Sequence, residues 1–168
     1  MTDRKKHVPQ QAPTPRLVME RTYRAGIESV WDLWTTQEGL EAWWGPSGFE
    51  LKVKKLDVRP GGALWYAMTA TAPVEIGRIR EAGMPLTIES RATYTEVIPQ
   101  RRLAFTQLAD FIPQVDPYVV ETTVDFYASK RDVRMVLIFD AMHDETWTAK
   151  AVTAWETEFA RLAKMLGK

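Results

Sequence analysis

Residues 145–167 carry Val152, Trp155, Phe159, Leu162 and Leu166 at i, i+3, i+7, i+10 and i+14. That spacing is one stripe of an α-helix. Asp144 suits its N-cap, and Glu145 faces the positive end of the helix dipole. At about 1.5 Å per residue the helix is about 33 Å long. Upstream, the chain alternates apolar and polar residues. Phe49, Leu51 and Val53 alternate with Glu50, Lys52 and Lys54. Leu64, Tyr66 and Met68 share a face, with Trp65 opposite. Ser90, Ala92 and Tyr94 do the same, as do Leu103, Phe105 and Gln107. Val120, Thr122, Val124 and Phe126 form one further row, and Met135, Leu137 and Phe139 another. These are half-buried strands. Pro60-Gly61-Gly62 and residues 128–131 read as turns, and strands joined by tight hairpins run antiparallel. The apolar face of such a sheet must be covered, and the terminal helix is the only element long enough. The expected fold is α+β, a twisted antiparallel sheet wrapped around a long C-terminal helix.

Two short helices are expected between the first strand, "RLVMERTY", and the strand run. Ile27, Val30, Trp31 and Trp34 lie on one helix face, and Thr35-Thr36 breaks that helix and can cap the next. Leu40, Trp43 and Trp44 give i, i+3 and i+4 on the second. Gly45 can close it in the left-handed conformation, and Pro46 stops it. Both indoles are expected to point inward. The segment 73–85, "PVEIGRIREAGMP", fits a short amphipathic turn opened by Pro73 and weakened by Gly77 and Gly83. Residues 1–15 are polar, with three prolines and no periodicity, and read as a flexible arm. The domain is expected to occupy 16–168.

Composition removes several function classes. The chain has 168 residues with 22 Lys+Arg and 22 Asp+Glu, so it lacks the basic excess of a nucleic-acid binder. The Arg4-Lys5-Lys6 cluster lies in the arm and reads as solvated charge. With no cysteine there is no disulfide, thiol nucleophile or thiolate-bound zinc. No apolar run approaches the ~20 residues that span a bilayer, and no signal-peptide core opens the chain. A cytoplasmic protein that binds neither membrane nor nucleic acid is expected.

The face turned toward the long helix mixes Tyr66, Met68, Tyr94, Phe105, Phe126, Met135 and Phe139 with Ser90, Ala92, Thr122 and Gln107; the helix adds Trp155 and Phe159. A tightly interdigitated core favours Leu, Ile and Val. Aromatics, methionines and scattered polar groups also line ligand cavities. The pattern leaves both outcomes open, a filled aromatic core being the commoner. Catalytic and metal candidates are few. His7 lies in the arm. His143 sits beside Asp140, Asp144 and Glu145, where a helix cap competes with a metal or acid–base cluster. Glu75, Arg78 and Arg80 read as solvated charge. There is no Gly-rich phosphate loop, no Ser-His-Asp arrangement and no metal motif, so no catalytic residue, metal ligand or cofactor is assigned.

The segments "YRAGIESVWDLWTTQEGLEAWWGP", "LDVRPGGALWYAM", "TEVIPQRRLAF" and "AWETEFARLAKML" resemble the START-like (SRPBCC) helix-grip superfamily. More narrowly they resemble homologues of the activator of heat-shock protein 90 ATPase. The resemblance spans 16–167. It implies a cavity between sheet and long helix that takes a small, largely hydrophobic molecule. The lining expected on that basis is Trp44, Tyr66, Met68, Tyr94, Phe105, Phe126, Met135, Phe139, Trp155 and Phe159, with Tyr66 and Tyr94 orienting a polar group. Residues 74–84 are longer than the branch's usual connection and are expected as a lid. Two other readings stay open. One is a chaperone-interacting module, with a filled core and an outer surface around Trp65. The other is a cyclase- or hydrolase-type enzyme, which needs an ionisable group inside the cavity.

Overall fold

The computed structural model describes residues 15–110 and 112–167; the expected arm apart from Pro15, and His7 with it, lies outside them. The chain opens with β1 (Arg16–Tyr23), followed by α1 (Ile27–Thr35) and α2 (Gln37–Trp43). β2 (Phe49–Leu56) and β3 (Ala63–Ala70) precede α3 (Pro73–Glu81). Then come β4 (Thr87–Ile98), β5 (Arg102–Ala109), β6 (Tyr118–Ala128), β7 (Val133–Asp140) and α4 (Glu145–Leu166). The strands form one seven-stranded sheet in the order β1-β7-β6-β5-β4-β3-β2, antiparallel throughout. This is the helix-grip α+β architecture.

Local chemistry sets the bends. The register of β2 shifts between Val53 and Lys55, and that of β4 between Tyr94 and Glu96. Such bulges deepen the twist and curl the sheet toward α4. The β2–β3 turn is tied to the second bulge: Gly61 N–H donates to Tyr94 O at 2.8 Å, and Tyr94 N–H donates to Gly62 O at 2.9 Å. Asp144 caps α4, its Oδ1 accepting from Trp147 N–H at 2.8 Å. Thr36 caps α2 by accepting from Gly39 N–H at 3.0 Å. Gly39 is needed there, because a Cβ would fall 2.4 Å from Asp32 O where the two short helices meet.

The inner faces follow the alternation. Val124, Val133, Met135, Leu137 and Leu162 are fully buried between the sheet and α4. Trp34 centres the end beneath α1 and α2, with ring centroids 4.7 Å from Trp43, 5.6 Å from Trp44, 6.0 Å from Phe126 and 6.3 Å from Trp155. Trp43 donates from Nε1 to Leu33 O at 2.6 Å.

Two local expectations are revised. Trp44 does not belong to α2: its ψ of 140° is extended, so the helix ends at Trp43. Residues 73–81 make a full nine-residue helix rather than a single turn, though none of them is buried.

Candidate functional site

The tryptophan pair ends at a corner held from both sides. Gly45 has φ of +95°, a conformation glycine adopts without steric cost. Its N–H donates to Glu158 Oε1 at 3.2 Å. Its carbonyl accepts from Arg161 Nη1 at 2.6 Å, and Arg161 Nη2 donates to Ala42 O at 3.3 Å. Glu158 and Arg161 are i and i+3 on α4, so they project from neighbouring positions of one face. The corner after α2 is thereby fixed to the long helix, and Trp44 is swung toward the sheet.

Beyond Trp44 the space between sheet and helix opens into a cavity of about 520 Å³. Its buried wall includes Trp44, Tyr66, Thr122, Phe139, Trp155 and Glu158. Ser90 and Gln107 join from β4 and β5, and Met68, Ile88 and Val120 extend the apolar surface. Toward solvent the wall passes to Met84, Leu108, Pro113, Met142 and Trp147, contributed by the segment after α3, the end of β5, the loops at that end of the sheet and the first turn of α4.

The inner end is polar and organised. Gln107 Nε2 donates to the Tyr66 hydroxyl at 3.0 Å, and the nearby Trp44 and Ser90 side chains favour its ionised form. Burial raises the Tyr66 pKa, and the nearby Glu158 carboxyl adds to the effect. Burial likewise pushes the Glu158 carboxyl up to about 8, against the lowering pull of the Gly45 N–H and the Arg161 guanidinium. At 9% exposure Glu158 is the one buried acid among the described residues. A protonated carboxyl there can donate a hydrogen bond, and an ionised one is available to a cation.

Of the expected lining, Trp44, Tyr66, Met68, Phe139 and Trp155 lie on this wall. Tyr94 and Phe105 instead border a gap of about 10 Å³ with Trp34, Leu40, Leu64 and Leu103. Phe126, Met135 and Phe159 are packed into the core. The division has a steric cause. Indoles from α1 and from the corner after α2 fill one end of the space, with Trp31 5.7 Å from Phe126 and Trp44 5.9 Å from Phe105. Aromatic side chains therefore make a filled core at one end and a cavity wall at the other.

Glu158 was not among the expected residues. It is i+3 from Trp155 and i−4 from Leu162, so an acid interrupting the apolar stripe was the available signal. Around His143, Asp144 acts as the helix cap, while the His143 ring lies 3.1 Å from the Tyr118 hydroxyl and 3.2 Å from Asp144 Oδ2. Asp140 accepts from Glu121 N–H at 3.0 Å and pairs with Arg16. Among the described residues no three His, Asp or Glu side chains converge to hold a metal ion. No described helix is long and apolar enough to cross a membrane.

The family described as Activator of Hsp90 ATPase homolog 1-like protein matches residues 24–167. No curated protein matches the chain. Among solved structures, a Chromobacterium violaceum protein is 20% identical with a TM-score of 0.73, covering 91% of this chain and 97% of its own. An AHSA1-like protein from Aeromonas hydrophila is 20% identical with a TM-score of 0.69, covering 90% and 91%. A Mycobacterium smegmatis protein is 19% identical with a TM-score of 0.67, covering 91% of each chain. At these identities the likeness shows a shared fold.

Proposed function

The chain belongs to the family of Activator of Hsp90 ATPase homolog 1-like proteins, and on that premise we propose that it binds a small, largely hydrophobic ligand between the sheet and α4. The observation that carries this reading is the 520 Å³ cavity with a mainly apolar wall and a few convergent polar groups at its inner end. Ligand pockets have that size and that composition. Withdrawing roughly 200 Å² of apolar ligand surface from water supplies roughly 5 kcal/mol before the entropy of association is subtracted. Residues 16–168 would form the binding domain, and the segment 74–84, whose Met84 reaches the wall, would act as its lid.

The test is titration with N-phenyl-1-naphthylamine, a neutral fluorophore that brightens in apolar surroundings. Native mass spectrometry of the purified protein, before and after solvent extraction, accompanies it. Saturable fluorescence that Val120→Trp abolishes by filling the cavity supports the proposal. Absence of both fluorophore binding and a co-purifying molecule would sink it.

The family's description favours a second reading, action on the Hsp90 ATPase. Its candidate surface is the outer face of the sheet, where the Arg91 guanidinium lies 4.3 Å from the Trp65 ring centroid and Lys54 Nζ lies 5.6 Å from it. That reading requires an increase in Hsp90 ATPase rate that Trp65→Ala reduces and Val120→Trp leaves unaltered.

A further inference from the structure

We propose that the ligand carries a basic amine on its apolar body, with the ammonium paired to Glu158 on the wall it shares with Trp44, Tyr66 and Trp155. The inference rests on the cavity-binding reading and narrows its ligand class.

The polar groups at the inner end are unequally occupied. The Tyr66 hydroxyl is already bonded by Gln107 and has Trp44 and Ser90 beside it. Glu158 uses Oε1 for the Gly45 N–H, and Oε2 makes no hydrogen bond among the described residues. The available cations are engaged elsewhere. Arg161 donates to Gly45 O and Ala42 O, and Glu158 forms no ion pair among the described residues. Arg91, the other charged residue of the wall, stacks its guanidinium on Trp65 across the sheet. The Arg161 guanidinium is near enough to lower the Glu158 pKa but makes no ion pair with it, so the open oxygen can be ionised at little cost only when a further cation pairs with it.

The aromatic geometry favours the same occupant. Trp44 stands at 89° to Trp155 with centroids 5.5 Å apart, and at 78° to Tyr66 at 6.3 Å. These rings pack edge to face, and all three line the cavity with Glu158, so an ammonium beside the acid also has aromatic surface near it. A carboxylate ligand would be disfavoured by the negative ring faces and by the ionised fraction of the acid. A carbonyl ligand would instead accept a hydrogen bond from the protonated acid, with no proton released.

Proton traffic follows from the surroundings of Glu158. The groups facing it are the Gly45 peptide from the α2–β2 corner, Tyr66 from β3, Arg161 on its own helix, and the uncharged Ser90, Gln107 and Thr122 from β4, β5 and β6. Burial keeps the carboxyl mainly protonated at neutral pH. An entering ammonium favours the carboxylate, so that proton leaves to solvent.

The experiment is displacement of N-phenyl-1-naphthylamine by three matched probes: 1-naphthylmethylamine, 1-naphthalenemethanol and 1-naphthoate. At pH 7 the amine is expected to compete at least tenfold better than the alcohol, with the carboxylate weakest. Glu158→Gln should bring the amine to the level of the alcohol and change the alcohol by no more than about twofold. Calorimetry on the wild-type protein in phosphate and in Tris should show proton release with the amine and none with the alcohol, a readout that does not depend on the variant folding. If the fluorophore binds but amine and alcohol compete equally, or the preference survives Glu158→Gln, the amine assignment is overturned and the cavity reading stands. If the fluorophore fails to bind and no molecule co-purifies, both fall.

Discussion

Replacing Glu158 with Gln should remove a pH dependence of stability that the wild-type protein carries. Burial pushes the carboxyl from its ordinary value of 4.5 up to about 8 in the fold. Between those values the folded chain holds a proton that the unfolded chain has released. Stability therefore falls as pH rises, by about 1.4 kcal/mol per pH unit. The full interval is worth about 5 kcal/mol, and the step from pH 5.5 to 7.5 about 3 kcal/mol. Water entering the cavity would lower both figures. Below pH 4.5 both states are protonated, and above about 8 both are ionised, so the slope flattens at each end. Gln has no proton to lose and keeps an amide oxygen for the Gly45 N–H. Wild type and Glu158→Gln should thus be similar near pH 5 and diverge toward pH 8, the variant being the more stable. Urea unfolding followed by tryptophan fluorescence at half-unit pH steps measures this directly. Tyr66, Tyr94 and Tyr23, all raised by burial, titrate above the window. Parallel pH profiles for the two proteins would refute the reasoning, because they would mean that Glu158 binds its proton equally well in both states.

Arg161→Met should cost about 1–3 kcal/mol by leaving Gly45 O and Ala42 O without their donor. By removing the nearby cation it should also extend the pH-dependent loss of stability to higher pH, and urea midpoints at about pH 7 and about pH 9 test both effects. Gly45→Ala forces a side chain into φ of +95° and should cost about 1–3 kcal/mol; thermal melts check this, with near-UV circular dichroism reporting the indole cluster. Trp43→Phe should be more destabilising than Trp34→Phe by about 1 kcal/mol. It loses the bond to Leu33 O, whereas the buried Trp34 Nε1 has no hydrogen-bond partner among the described residues to lose. Paired denaturant curves decide that order. Asp144→Ala should cost about 1 kcal/mol through loss of the α4 cap, read as a lower melting temperature.

Most of the fold was legible because the sheet has one buried face and one exposed face. Met135, Leu137 and Phe139 point inward and Arg134 outward because side chains alternate, and a shift of one residue would expose the entire apolar row. The α4 stripe was legible for the analogous reason at helical period. The end of α2 was less so: Trp44 fits the helical spacing, yet the pull of Glu158 and Arg161 on Gly45 lies 113 and 116 residues away in sequence. The division between filled core and cavity was not legible. It depends on how far Trp34, Trp43 and Trp44 reach from α1, α2 and the corner, which residue spacing does not encode. Tyr66 and Tyr94 look equivalent in their strands, but only Tyr66 meets the cavity. Glu158 could have been found by asking why an acid falls within the apolar stripe.

The sheet order also bears on how the chain assembles. Six strands follow one another as neighbours, and each can pair as soon as its predecessor exists. β1 is the exception: it pairs with β7, joining Arg16 to Asp140 and Tyr23 to Val133. During synthesis β1 emerges first but has no partner until the last strand has been made. Throughout that interval its inward Met19 and Tyr23 remain uncovered, and closing so long a loop is among the slowest contacts a chain can make. The strand made first is thus the one that completes the sheet.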